Sequence, residues 1–217
     1  MSVRLLGLVM AFGAGVLISA VAYELVSEAA DTAGGSGAVA LGLFAGAATF
    51  FVGDGLIDRF GGDNRKSASG EQAAGSPMAI VLGTVLDGIP ESIVLGLTIL
   101  QGGAVSAAML AAVFLSNLPE AVAATSGLTR AGWSRMNTIL LWLVVALVTA
   151  LSSLAGYVFF DDASGWTIAF VLAFAAGAIL TMLADTMMPE AFDHGGKLVG
   201  LATTFGFAVA FGISALE

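Results

Sequence analysis

Apolar residues come in long blocks rather than alternating with polar ones. Seven blocks, at about 5–25, 38–57, 78–100, 105–128, 138–160, 166–188 and 198–216, are each long enough for the roughly 20 residues an α-helix needs to cross a bilayer. Strand-like alternation is missing, which argues against a membrane β-barrel. The longest polar stretch, RFGGDNRKSASGEQAAGSP at about 59–77, is rich in Gly, Ser and charge and predicts a flexible loop with no room for a soluble domain. The pattern predicts an all-α polytopic membrane protein, with residues 1–217 forming a single transmembrane domain of seven helices.

The blocks also resemble one another. AFGAGVLISAVAYELVSEA (11–29) aligns without gaps to AFAAGAILTMLADTMMPEA (173–191), and seven of the 19 positions are identical. LDGIPESIV (86–94) aligns with LSNLPEAVA (115–123), and both place Pro-Glu near mid-span. Blocks one and six cross in opposite senses, as do three and four. The expectation is therefore inverted-topology repeats around a central kinked helix pair, a plan common in secondary transporters. Blocks two and seven are weakly alike, and block five has no partner. Arg4, the first apolar run and Ala-Val-Ala at 20–22 also match a cleaved leader, but the internal partner of this block argues for a retained span.

Composition agrees with the membrane reading. Hydrophobic residues make up 58% and charged residues 11%, against about a quarter charged in soluble domains. There are no cysteines, which removes disulfides, thiolate metal sites and cysteine nucleophiles. A net charge of −9 argues against nucleic acid and leaves the lipid bilayer as the expected surroundings. Arg4, Arg59, Arg65, Lys66, Arg130, Arg135 and Lys197 all fall on one side if the chain crosses seven times. That side is expected to be cytoplasmic, placing the N-terminus inside, the loop at 59–77 in the cytoplasm and the C-terminus outside, in a multi-pass protein of the cell membrane.

The chemistry concentrates at the central pair. Asp87 and Glu91 are spaced i, i+4 on the third block, as are Ser116 and Glu120 on the fourth, so each pair is expected on one helix face. Pro90 and Pro119 cannot donate to the carbonyls of Leu86 and Leu115, so each helix is expected to kink and free a carbonyl oxygen. Broken backbone at this depth is tolerated only inside protein or along a cavity. Three charged carboxylates at mid-membrane would cost on the order of 8–10 kcal/mol, and no mid-span Lys or Arg offsets them. They are neutralised either by protons or by a cation, and a site alternating between the two is a carrier of divalent cations. The structural alternative is a pair of proline kinks with protonated, hydrogen-bonded carboxyls.

DGIPES and SNLPEA resemble the Pro-Glu motifs of the fourth and fifth helices of the ZIP family of divalent metal transporters. AFGAGVLISAVAYELVSEA looks like that family's second helix, and AGAILTMLADTMMPEA like its seventh. The resemblance covers nearly the whole chain and implies eight helices in a 3+2+3 plan, of which the first is missing here. The missing helix would be the partner of block five. Carried over by position, the resemblance implies metal contacts from Asp87, Glu91, Ser116, Asn117 and Glu120, with Glu91 and Glu120 able to bridge two ions. Leu17 falls near a position where some members offer methionine. The family's histidine is Asp87 here and its neighbouring asparagine is Gly88. The implied site is all oxygen, which shifts expectation from zinc toward harder ions or a broader range. Zinc, manganese, iron and cadmium are the candidate cargoes, with no other cofactor expected, and a homodimer is compatible with this reading.

Other polar residues sit at the helix ends. Glu24, Glu28 and Asp31 form a candidate entrance path that raises local cation concentration. Asp54, Asp58, Asp185, Glu190, Asp193 and His194 form a candidate exit path. Ordinary solvated helix ends are the plainer account of both groups. Ser152 and Ser153 either reach the site or pack against a neighbour, and Trp133, Trp142 and Trp166 fit interfacial anchoring. Two rivals from other classes stand beside a transporter. One is an intramembrane aspartyl protease using Asp54 and Asp87, against which Asp54 is expected near the cytoplasmic face and Asp87 at mid-span. The other is a metal-binding sensor without transport.

Overall fold

A computed structural model describes residues 2–62, 77–102 and 107–216. Most of the polar segment at 59–77 lies outside these residues. The described chain is helical throughout apart from short turns. We label the helices α1 (Val3–Ala33), α2 (Ala38–Ile57, continued by a π-turn at Asp58–Gly62), α3 (Pro77–Gly102), α4 (Ala107–Arg130), α5 (Arg135–Val158), α6 (165–195) and α7 (Val199–Ser214).

Among the described residues six helical runs are long and apolar enough to cross a membrane, the last being the 50-residue run Gly165–Ser214 that holds both α6 and α7. At 1.5 Å per residue a straight helix of that length would reach about 75 Å, more than twice the hydrocarbon thickness. It is not straight. Gly196 takes φ 63° and ψ −149°, a conformation open to glycine because it lacks a Cβ, and the chain reverses there. Gly165 lies against Thr32, and Gly195 lies against Gly7, so α6 runs antiparallel to α1. The Phe12–Phe205 and Tyr23–Phe211 ring contacts, at 5.7 and 5.0 Å, show α7 running parallel to α1.

Helices α1 and α6 share irregularities as well as sequence. Ser2 caps α1 by accepting from the Leu5 amide, and Ser164 caps α6 by accepting from the Thr167 amide. Each helix then carries a π-turn, at Val21–Val26 and Leu183–Met187. The offset that pairs Ala11 with Ala173 also pairs these caps and the starts of the π-turns. Packing repeats too. A Cβ on Gly15 would collide with the Thr203 carbonyl oxygen, and one on Gly206 with that of Phe12, where α1 meets α7. Where α6 meets α2, Gly177 meets Leu43 and Gly46 meets Phe174 in the same way. Backbones approach this closely only where side chains are absent, which is how helices pack in lipid.

Helix α5 packs mainly on α3, through Gly96 against Ser153 and Gly156 against Ile93. Large apolar side chains such as Phe44, Leu147 and Leu201 cover the outer surface. That arrangement suits lipid surroundings, with small residues inside.

Candidate metal-ion cavity

The cavity lies where α3, α4 and α5 meet, and its volume is about 290 Å³. Pro90 and Pro119 lie inside α3 and α4, so Leu86 and Leu115 lose their usual helical donors. A Cβ on Gly13 would stand 2.8 Å from the Leu115 carbonyl oxygen, so the stretch of α4 before Pro119 packs against α1. Glu91 and Glu120 each sit one residue beyond a proline and line the cavity, at 1% and 8% exposure.

Asn117 joins the two helices. Its Nδ2 donates to Glu91 Oε2 at 2.7 Å and to the Val113 carbonyl at 2.8 Å. The first bond crosses from α4 to α3; the second anchors the amide to its own helix. Both partners are acceptors, which fixes the nitrogen on that side and leaves Oδ1 as the amide's other polar atom. The remaining polar lining is Thr84 and Ser92 on α3 and Thr149 on α5.

The five centrally expected residues divide. Glu91, Asn117 and Glu120 come together around the cavity, whereas Asp87 and Ser116 are buried without lining it. The cavity stripe on α3 runs through Thr84, Gly88, Glu91 and Leu95, and Asp87 stands about 100° round the helix from Gly88. Ser116 turns back to its own helix, donating to the Val113 carbonyl at 3.0 Å. Among the described residues no three His, Cys, Asp or Glu side chains gather closely enough to hold an ion, so the centre has two carboxylates rather than three.

The end groups stay dispersed. Glu28 and Asp31 are exposed, and Glu24 accepts from the Ser214 hydroxyl at 2.6 Å, tying the α1 π-turn to the end of α7. Asp185 and Asp193 are exposed and Asp58 is half-buried. His194 Nε2 meets Glu190 Oε1 at 2.8 Å, one turn apart on α6. Asp54 is buried, and its neighbour Gly53 packs on Leu86. Neither Asp54 nor Asp87 lines the cavity.

Helix α5 supplies what sequence reading assigned elsewhere. Trp142 forms cavity wall, and its Nε1 donates to Thr125 Oγ1 at 2.9 Å. Ser152 bonds the Val148 carbonyl and the Ser153 backbone packs on Gly96, leaving Thr149 as the hydroxyl of α5 that reaches the cavity. Thr149 lies one turn before Ser152 and Ser153, the signal that could have found it.

No family model matches this chain. Over 214 residues, 97% of its length, it is 25% identical to a candidate zinc transporter of Arabidopsis thaliana. The chain spans about a third of that relative, 34% of its length. The likeness and the long apolar helices together support a multi-pass membrane protein resembling metal transporters at a general level.

Proposed function

We propose that this protein is a ZIP-like carrier that moves divalent metal ions into the cytoplasm through the cavity between α3 and α4. The observation that carries the reading is that Glu91 of α3 and Glu120 of α4, each beside a proline, line one cavity where Asn117 of α4 bonds Glu91. Two carboxylates can balance one divalent ion, and among the described residues no Lys or Arg lines the cavity to do so instead. The similarity to a zinc-transporter-like protein points the same way.

In this reading the chain crosses the membrane seven times, α6 and α7 being separate spans joined at Gly196. The repeated caps, π-turns and glycine contacts support two inverted repeats. The side-by-side ends of α1 and α6 bring Arg4 and Lys197 to one face, which favours a cytoplasmic N-terminus and an extracellular C-terminus. Glu24, Glu28 and Asp31 gather cations outside. Glu91, Glu120 and the Asn117 carbonyl replace part of the ion's water shell, with Asp87 and Ser116 supporting from behind. Movement of α3 with α5 against α1 with α4 then exposes the ion to the cytoplasm, and protonation of a glutamate releases it toward Asp54, Asp58, Asp185, Glu190, Asp193 and His194.

Crystals grown with Mn²⁺ or Zn²⁺ test the site. An anomalous peak between Glu91 and Glu120, lost in Glu91→Gln/Glu120→Gln, is expected. A peak only at the helix ends would contradict the assignment.

A further inference from the structure

We propose that the cavity takes hard divalent cations, with Mn²⁺ as the test case, in preference to the softer Zn²⁺ and Cd²⁺. This inference rests on the carrier reading above and concerns the selectivity of the same site. The whole chain has no cysteine and one histidine. That histidine, His194, pairs with Glu190 at the end of α6 beside Gly7, outside the cavity. Among the described residues no methionine lines the cavity. Nitrogen and sulfur ligands are what give zinc-type sites their advantage, whereas carboxylate, carbonyl and water oxygens suit manganese, magnesium and calcium.

Hydrogen bonding strengthens this donor argument. Both N–H bonds of the Asn117 amide go to acceptors, so its contribution to an ion is the carbonyl oxygen. Thr84 donates its hydroxyl proton to the Ile80 carbonyl at 3.0 Å, and Thr149 donates to the Ala146 carbonyl at 3.0 Å. What these two side chains can offer the cavity is therefore oxygen lone pairs. Two carboxylates, an amide oxygen and hydroxyl oxygens make a donor set with no soft member. The cavity volume of about 290 Å³ is far larger than a bare ion. At roughly 30 Å³ per water it leaves room for several waters, which a hard octahedral ion retains and a closed tetrahedral zinc site excludes.

The test uses the full chain in liposomes, with uptake of Mn²⁺, Zn²⁺ and Cd²⁺ measured singly and in equal mixtures. Mn²⁺ uptake is expected to persist in the presence of equal Cd²⁺ or Zn²⁺. Asn117→His, which adds an imidazole to the cavity, should move the preference toward Cd²⁺ by about ten-fold. Ser92→His supplies the same imidazole from α3 if Asn117→His does not fold. Uptake in which equal Zn²⁺ or Cd²⁺ abolishes Mn²⁺ transport would overturn the selectivity and leave the carrier reading standing. Neither uptake nor binding of any of the three ions would overturn both.

Discussion

The glycine-packed frame and the polar seam between α3 and α4 are built on opposite rules. In the frame, α1 meets α7 and α2 meets α6 with backbones so close that Gly15, Gly206, Gly46 and Gly177 leave no space for a Cβ. In the seam, a cavity separates α3 from α4, and the Asn117–Glu91 bond crosses it. Dispersion between touching backbones holds the first, while hydrogen bonds between buried polar groups hold the second. The difference teaches where change can occur: closely packed backbones resist deformation, and a seam with a cavity can open at the cost of a few hydrogen bonds.

The comparison can be broken first at the frame. Gly15→Val or Gly46→Val should each cost about 3 kcal/mol or more, because a carbonyl oxygen occupies the Cβ position. Loss of the monodisperse peak in detergent and a lowered melting temperature would register it. Gly55→Ala, with nothing within 4 Å of its Cβ, should stay within about 0.5 kcal/mol. Equal melting of Gly15→Val and Gly55→Ala would remove the distinction.

The seam should respond differently. Asn117→Ala removes the bond to Glu91 and one cavity oxygen; cation affinity is expected to fall about ten-fold, read by equilibrium binding of Mn²⁺, with a stability loss of about 1 kcal/mol. Trp142→Phe keeps the aromatic wall and loses the bond to Thr125. It should show the smallest effect, at most about 1 kcal/mol in thermal unfolding, with cation binding retained.

The long apolar helices and the prolines inside α3 and α4 were readable because they depend on local composition and on one imino acid. The gap-free alignment of α1 with α6 also pairs their serine caps and π-turns. The close contacts of α2 and α7 were hidden, since Gly46 and Gly206 meet backbone carbonyls rather than presenting recognisable side chains. The i, i+4 rule placed Asp87 with Glu91, yet the cavity follows the stripe through Gly88, so the aspartate falls to one side. Trp142 and Thr149 were missed as lining because α5 reaches the cavity only through tertiary packing on α3. No local pattern announces that contact.

Cation flux into proteoliposomes carrying wild type or Glu91→Gln/Glu120→Gln tests the central claim most directly. Glutamine keeps the size of each side chain and removes the charge that would balance a divalent ion. The expected result is Mn²⁺ uptake by the wild type and uptake no greater than that of empty vesicles by the double variant, with both proteins eluting and melting alike. A double variant that carries Mn²⁺ at the wild-type rate would contradict the placement of the transport site at this pair of glutamates.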